Sequence, residues 1–231
     1  MKPSRWIESL NCAIEGVLWT ARTQKHMRWH FLSAAAVLFA ALFFKVPAVD
    51  FLLLTLAITL VLFAEIINTA VEVVVDLVSP DYHPLAKQAK DVAAGAVLLA
   101  TCGAAVVGYV VFSSRIFAAV PGKVRVIADL PGDVAVVSIL IVTIAVILLK
   151  AHFAKGSPLH GGMPSGHAAI AFAIAVAIVF SGATLVIDLC AFTLAAMVSQ
   201  SRLLMKIHTL GEVLFGALLG SSVALILHLL L

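Results

Sequence analysis

Four polar residues interrupt a long apolar stretch of the chain at helical spacing. Residues 51–78 are almost wholly apolar, yet the stretch contains Glu65, Asn68, Glu72 and Asp76. At about 100° per residue, the steps from 65 to 72 and to 76 end within about 20° of the starting direction, so the three acids share one helix face. An ionisable residue near the bilayer centre costs roughly 2.5–3.5 kcal/mol on insertion scales, and such residues are usually functional. A glutamate in this position could take a proton from an alcohol at the membrane surface.

The segment after this stretch carries both anionic and cationic side chains. Its charged and hydrogen-bonding residues are Asp76, Asp81, Tyr82, His83, Lys87, Lys90 and Asp91. Lysines bind phosphates, and a carboxylate binds the magnesium ion that bridges phosphate oxygens, so the segment suits a magnesium nucleotide. No glycine-rich phosphate loop is present, which argues against a P-loop or protein-kinase design. The alternative is structural: the acids hold helices together, and the loop side chains extend to the membrane interface.

A second group of polar residues lies near the end of the sequence. Its members are Lys150, Lys155, Ser165, Gly166, His167, Arg202, His208 and Glu212. Two apolar spans separate His167 from His208, so both return to the same membrane face. One histidine could attack phosphorus, the other could protonate the leaving oxygen, and a carboxylate four residues on could orient the nucleophile. The alternative is that interfacial histidine and arginine side chains merely extend to the headgroups.

Membrane helices must position both groups, because the composition is that of a membrane protein. The 231 residues are 63% hydrophobic and 12% charged, with a mean hydropathy of +1.14, whereas a soluble domain has about twice that charged fraction. The sequence therefore predicts an all-α, polytopic membrane helical bundle. About seven transmembrane helices are predicted, at residues 30–46, 51–78, 92–113, 134–149, 168–181, 184–199 and 212–231. An N-terminal amphipathic helix at residues 3–28 is expected to lie on the membrane surface.

The distribution of lysine and arginine predicts the orientation of these spans. Alternation of the spans places on one side Lys2, Arg5, Arg22, Lys25, Arg28, Lys87, Lys90, Lys150, Lys155, Arg202 and Lys206. The other side receives Lys45, Arg115, Lys123 and Arg125. The positive-inside rule puts the larger set, and with it both groups of polar residues, on the cytoplasmic side of a bacterial-type inner membrane. The basic residues are scattered along the membrane edges, so no nucleic-acid partner is expected.

The first group resembles the small integral-membrane diacylglycerol kinase and undecaprenol kinase family. The likeness covers about residues 5–113. It rests on residues 64–76, Ala-Glu-Ile-Ile-Asn-Thr-Ala-Val-Glu-Val-Val-Val-Asp, and on residues 82–97, Tyr-His-Pro-Leu-Ala-Lys-Gln-Ala-Lys-Asp-Val-Ala-Ala-Gly-Ala-Val. The resemblance implies three membrane helices with a surface helix, ATP with Mg²⁺ as phosphoryl donor, and a lipid alcohol as substrate. It also implies a homotrimer with catalytic sites between subunits.

The resemblance to this kinase family implies roles for individual residues. Glu65 would be the general base that acts on the lipid hydroxyl, and Glu72 would bind the metal ion. The nucleotide-binding positions would be Asn68, Asp76, Asp81, Tyr82, His83, Lys90 and Asp91. Gln24 stands where many relatives carry a second metal-binding glutamate. Its amide keeps an oxygen ligand but loses the charge, which should weaken magnesium binding.

The second group resembles the type 2 phosphatidate phosphatase superfamily. The Pro-Ser-Gly-His motif is intact at 164–167, and the motif Ser-Arg-x5-His-x3-Asp is present at 201–212 with glutamate in place of the last aspartate. A third motif, Lys-x6-Arg-Pro, survives only as a lysine and a Ser-Pro pair at 150–158, so one phosphate-binding arginine is missing. Four spans remain where the superfamily usually has six, so the domain is shortened.

The resemblance to this phosphatase superfamily also implies residue roles. His208 would be the nucleophile that forms a phosphohistidine, and His167 would be the general acid. Glu212 would orient His208, less well than aspartate because its side chain is longer. The phosphate would be held by Lys150, Lys155, Ser165, Gly166 and Arg202.

The two resemblances together predict a bifunctional membrane lipid enzyme with two domains. Residues 1–115 would form the lipid kinase domain and residues 116–231 the phosphatase-like domain, with a junction near 114–132. The kinase would phosphorylate undecaprenol or diacylglycerol, and the phosphatase would act on a lipid phosphate or diphosphate. If that second substrate is undecaprenyl diphosphate, both halves yield the monophosphate. The alternatives are a lipid kinase with a structural appendage and a non-enzymatic transporter whose intramembrane acids bind cations.

Overall fold

Helices make up the secondary structure throughout the described part of the chain. The computed structural model describes residues 6–118, 132–153 and 161–230, and these ranges contain no strand. The helices are α1 (Trp6–Thr23), α2 (Lys25–Phe43), α3 (Ala48–Val78), α4 (Pro84–Ala118), α5 (Gly132–Phe153), α6 (Gly166–Phe180), α7 (Leu185–Leu204) and α8 (Leu210–Leu230). Lys155 and most of the predicted junction at 114–132 lie outside the described residues.

Most of these helices have the length and composition of membrane-spanning segments. Six described helices, α2 to α5 with α7 and α8, are long and apolar enough to cross a bilayer. Helix α6 is also apolar but has only 15 residues, a length of about 22 Å against a hydrocarbon core of about 30 Å. The prediction of a polytopic helical membrane bundle is therefore confirmed, with one of the seven predicted spans shorter than a full crossing. The chain is a multi-pass membrane protein.

The N-terminal amphipathic helix ends earlier than predicted. Helix α1 ends at Thr23 because Gln24 adopts an extended backbone (φ −98°, ψ 118°), and α2 begins at the next residue. Residues 25–28 therefore belong to the first apolar helix and not to the surface helix. Large apolar side chains of α1 are exposed, namely Trp6, Ile7, Leu10, Ile14, Val17, Leu18 and Trp19. Such side chains suit contact with a membrane surface.

The first of two compact units, Met1–Ile116, contains a hairpin of α3 and α4. Lys90 contacts Asp76 beside the loop that joins the two helices. Arg115 contacts Asp50 at 2.8 Å near the opposite end of the hairpin. A small apolar core near this second ion pair consists of Ala41, Leu54 and Val111, with Val37, Val46, Val107 and Phe112 packed against it. The two antiparallel helices are therefore tied together at both ends.

The second compact unit, Phe117–Leu231, depends on close contact between α6 and α8. A Cβ atom on Gly216 would lie 2.4 Å from the carbonyl oxygen of Ser165, and one on Gly220 would lie 1.9 Å from that of Ala169. Only glycine permits so close an approach, which is the small-residue packing of membrane helices. The core beside this contact consists of Val142, Val146, Ala169, Ala173 and Ala224. The contact holds the first turns of α8 against the segment that carries Ser165.

Candidate functional site

The acidic stripe of α3 is partly buried within the first unit. Glu65 is 4% exposed and Asn68 is 9% exposed. The Asn68 side chain donates a hydrogen bond from Nδ2 to Glu72 Oε1 at 3.0 Å. The buried Thr69 hydroxyl donates to the Glu65 carbonyl oxygen at 2.9 Å. The stripe therefore presents one buried carboxylate and, two helical turns away, a second carboxylate that an amide holds in place.

The oxygen atoms of this stripe fit a divalent metal ion. Asn68 Oδ1 is buried and has no hydrogen-bond partner among the described residues, and Glu72 adds a carboxylate next to it. The described residues contain no group of three or more His, Cys, Asp or Glu side chains that could hold a metal ion. In phosphoryl-transfer sites one or two carboxylates suffice, because phosphate oxygens and water complete the coordination. Gln24, the other predicted ligand, lies at the N-cap of α2 and makes no side-chain capping hydrogen bond.

A pocket of about 260 Å³ opens at the loop between α3 and α4. Six of the predicted nucleotide-binding residues line it, namely Asp76, Asp81, Tyr82, His83, Lys90 and Asp91. The seventh, Asn68, lies two turns back along α3 and is not among the lining residues. The volume is close to the lower end of small-molecule sites, which is about 300 Å³. The structure therefore gathers most of the predicted nucleotide site into one concave surface.

The charges inside this pocket form two ion pairs. Lys90 Nζ lies 2.5 Å from Asp76 Oδ1, and Lys87 Nζ lies 2.5 Å from Asp91 Oδ2. The side chains of Asp76, Lys87 and Asp91 are each at least 60% exposed. Ion pairs as exposed as these contribute little to stability. Both ammonium groups are therefore held in the pocket by weak ion pairs.

Local hydrogen bonds fix the shape of the loop that forms this pocket. The ring nitrogen Nδ1 of His83 accepts a hydrogen bond from the Leu85 backbone N–H at 3.2 Å, in the first turn of α4. The Ser79 hydroxyl donates to the Asp81 carbonyl oxygen at 3.0 Å. The side chain of Tyr82 is exposed beside them. Hydrogen bonds within residues 79–85 therefore define the shape of the pocket loop.

The second group of polar residues also comes together, at the start of α8 in the second unit. His208 is 7% exposed, and its Nδ1 lies 2.8 Å from Glu212 Oε2. The same carboxylate oxygen accepts a hydrogen bond from the Thr209 backbone N–H at 3.1 Å. The Thr209 hydroxyl in turn accepts one from the Glu212 backbone N–H at 3.4 Å, which completes a capping box. The carboxylate of Glu212 thus reaches His208 Nδ1 within hydrogen-bonding distance.

Basic side chains from neighbouring helices interact with this histidine–glutamate pair. His167 interacts electrostatically with Arg202, His208 and Lys150. Lys150 Nζ donates a hydrogen bond to the Gly161 carbonyl oxygen at 3.0 Å. The His208 backbone N–H donates to the Arg202 carbonyl oxygen at 3.3 Å. The ends of α5 and α7 and the start of α8 therefore bring Lys150, Arg202 and His208 within electrostatic range of His167 at the start of α6.

The Pro-Ser-Gly-His segment contributes a buried hydroxyl to this second site. Ser165 is fully buried, and its hydroxyl oxygen has no hydrogen-bond partner among the described residues. The Ser165 backbone N–H donates to the Glu212 carbonyl oxygen at 3.0 Å, which ties the segment to α8. Gly166 is the first residue of α6. Lys155, the remaining predicted phosphate ligand, lies outside the described residues.

Sequence reasoning missed two residues that shape the sites. Ser79 lines the nucleotide pocket, and Thr209 caps the helix that carries Glu212. Lys87, which the sequence includes in the segment suited to a magnesium nucleotide, also lines the pocket. The Thr-x-x-Glu pattern at 209–212 is a recognisable helix start that could have identified the cap.

Comparison with known proteins identifies the first unit. A family model described as prokaryotic diacylglycerol kinase matches residues 11–112. Undecaprenol kinase of Bacillus subtilis is 34% identical over 113 residues, which cover 49% of this chain and 92% of that protein. Diacylglycerol kinase of Synechocystis is 46% identical over 101 residues, 43% of this chain and 58% of that protein.

The similarity extends to another diacylglycerol kinase but to no solved structure. Diacylglycerol kinase of Escherichia coli K12 is 42% identical over 60 residues, 26% of this chain and 49% of that protein. No solved structure matches the chain. The residues that the family model matches include the acidic stripe and the pocket loop. The chain therefore belongs to the prokaryotic diacylglycerol kinase family, a family of membrane lipid kinases.

Proposed function

We propose that the first unit transfers the terminal phosphoryl group of ATP, with Mg²⁺, to the hydroxyl group of undecaprenol or diacylglycerol. Membership of the kinase family implies ATP as phosphoryl donor, used with a divalent metal ion, and a lipid as acceptor. The observation that carries the proposal is the pocket with two lysine–aspartate pairs at the end of α3. The stripe that ends in this pocket holds the buried Glu65 on the same helix.

Each residue of the stripe has a distinct role in this reaction. Glu65 accepts the proton of the lipid hydroxyl, so that the oxygen can attack phosphorus. Asn68 holds the Glu72 carboxylate through the hydrogen bond at 3.0 Å, and Glu72 with Gln24 would hold the metal ion. When bound, Mg²⁺ neutralises charge on the phosphate oxygens. Lys90 keeps the nucleotide phosphates beside the stripe, while the other nucleotide-binding residues that the resemblance implies hold the rest of the nucleotide.

The proposal extends to the membrane arrangement of the enzyme. The pocket loop faces the cytoplasm of a bacterial-type inner membrane, where ATP is present and where the positive-inside rule places the lysines of the loop. The active form is a homotrimer, because the kinase resemblance implies sites completed by a neighbouring subunit. Large apolar side chains of α4 such as Val92, Leu98, Leu99 and Tyr109 are exposed within one chain, which leaves apolar surface for a neighbour or for lipid.

A panel of lipid alcohols with labelled ATP tests the kinase proposal. The purified protein should phosphorylate undecaprenol or diacylglycerol. Glu65→Gln should lose about 10²–10⁴-fold in rate, the usual contribution of a general base, and Glu72→Gln should lose activity because a metal ligand is removed. Thr59→Val is a suitable control, because Thr59 lies on the same helix with an exposed side chain. Full activity in both glutamine variants would remove these two residues from the mechanism.

We propose as a second activity that the second unit removes phosphate from a lipid phosphate or diphosphate. The contact of 2.8 Å between His208 and Glu212, among Lys150, His167 and Arg202, supports it. His208 attacks phosphorus through Nε2 while the bond to the leaving oxygen breaks and His167 gives that oxygen a proton. Water then gives a proton to His167 and cleaves the phosphorus–nitrogen bond, which releases inorganic phosphate and restores both histidines.

Phosphate release from lipid phosphates separates this proposal from its alternative. Release should occur with the wild-type protein and should fall by at least about 10²-fold in His208→Ala, because the nucleophile is lost. His152→Ala is a matched control, since His152 lies at the end of α5 with an exposed side chain. If the wild-type protein releases no phosphate, the second unit is a structural appendage and the protein is a lipid kinase only.

A further inference from the structure

Lys87 is a charged residue of the nucleotide pocket to which the family resemblance assigns no role. It lies three residues before Lys90 on α4, so that at about 100° per residue the two lysines are about 60° apart on one helix face. Both line the pocket. The Lys87 ammonium lies 2.5 Å from Asp91, and both side chains are about 60% exposed.

The two lysines of the pocket have partners on different helices. Lys90 contacts Asp76, which lies on α3 one turn beyond Glu72 in the acidic stripe. A phosphate at Lys90 therefore lies beside the stripe that would perform the transfer. Lys87 contacts Asp91, which lies on α4 itself. A phosphate at Lys87 is therefore displaced from the stripe.

We infer that Lys87 binds the nucleotide phosphates that are not transferred, and that it exchanges the Asp91 carboxylate for phosphate oxygens when nucleotide binds. The flexible stem of lysine and its three donors allow such a change of partner. Leaving Asp91 costs little, because an ion pair this exposed is weak. A polyphosphate carries more negative charge than one carboxylate and so competes well for the ammonium. This inference rests on the proposed kinase function, because it assigns part of the same nucleotide site.

Direct binding of labelled ATP and labelled ADP, each with Mg²⁺, tests this role without requiring catalysis. ADP retains the phosphates that are not transferred, so Lys87→Met should raise the Kd of both nucleotides by the same factor, about three- to tenfold for an exposed charge-assisted contact. Lys87→Arg should restore binding, since it keeps the charge. Lys45→Met is the control for loss of one positive charge, because Lys45 lies before α3, at the end of that helix remote from the pocket.

The possible outcomes separate this inference from the kinase proposal. Unchanged Kd values in Lys87→Met would overturn the inference while leaving the kinase intact. A loss confined to ATP would also overturn it, because Lys87 would then contact the transferred phosphate. A wild-type protein that binds both nucleotides but phosphorylates no lipid would refute the kinase proposal, and the comparison of Kd values would still decide the role of Lys87. A wild-type protein that binds neither nucleotide would overturn both.

Discussion

Glu212 Oε2 lies 2.8 Å from His208 Nδ1 and also accepts the Thr209 backbone N–H at 3.1 Å. One carboxylate oxygen thus caps α8 and contacts the imidazole. A carboxylate at Nδ1 favours the tautomer that carries its proton there and leaves Nε2 unprotonated, which is the form needed for attack on phosphorus. Glu212 lies in the first turn of α8, four residues after the histidine, which lets its carboxylate reach both groups.

This contact predicts that Glu212→Gln impairs phosphate release from lipid phosphates. The amide removes the negative charge that stabilises the imidazolium and permits the wrong tautomer, so we expect a loss of about 10²–10⁴-fold in rate. Glu212→Asp keeps the charge and should retain much more activity. Release of inorganic phosphate by the two variants is the measurement. Equal rates in wild type and Glu212→Gln would show that Glu212 does not position His208.

The close approach of α6 and α8 predicts a specific stability defect. A Cβ atom on Gly220 would lie 1.9 Å from the Ala169 carbonyl oxygen, so Gly220→Ala must push the helices apart. Overpacking of this kind costs about 1–3 kcal/mol. Gly211→Ala is the matched control on the same helix, because a Cβ atom there meets nothing within 4 Å. Thermal unfolding in detergent should show a lower Tm for Gly220→Ala than for wild type and no decrease for Gly211→Ala. Equal Tm values for Gly220→Ala and wild type would contradict the close packing of α6 and α8.

The hydrogen bond between Asn68 and Glu72 predicts a metal-dependent defect in the kinase. Asn68→Leu removes the donor to the Glu72 carboxylate and the unpartnered oxygen beside it. Loss of a group that orients a metal ligand typically costs about 10–100-fold in metal affinity or activity. Lipid phosphorylation measured over a range of Mg²⁺ concentrations should therefore require more Mg²⁺ in this variant. An unchanged Mg²⁺ dependence would leave Asn68 with a packing role only.

Much of the architecture can be predicted from continuous apolar stretches, because a membrane-spanning helix must be predominantly apolar over its whole length. The end of α1 could not be predicted in this way. The amphipathic pattern continues through Gln24, whereas the backbone of Gln24 is extended. The order of residues places Asp76 and Lys90 at the ends of adjacent helices, but their contact depends on the rotation of each helix about its axis. Sequence alone leaves that rotation open.

The arrangement of the second site is even less predictable from the sequence. Its polar residues come from four helices and meet because Gly216 and Gly220 allow α8 to approach α6. The two glycines are visible in the sequence as a small-residue motif. The sequence does not show which helix packs against these glycines or from which direction, because the neighbouring spans are equally apolar.

Gln24 stands where the resemblance implies a second metal-binding glutamate, and this difference yields the last prediction. Its amide can offer one oxygen but no charge, so restoring a carboxylate in Gln24→Glu should strengthen Mg²⁺ binding. We expect the Mg²⁺ concentration for half-maximal lipid phosphorylation to fall roughly three- to tenfold, because affinity rises with the number of charged ligands. Gln88→Glu, which adds the same charge at an exposed position of α4 outside the pocket lining, is the control. An unchanged or higher Mg²⁺ requirement in Gln24→Glu, with Gln88→Glu like wild type, would show that residue 24 does not contribute to the metal site of this chain.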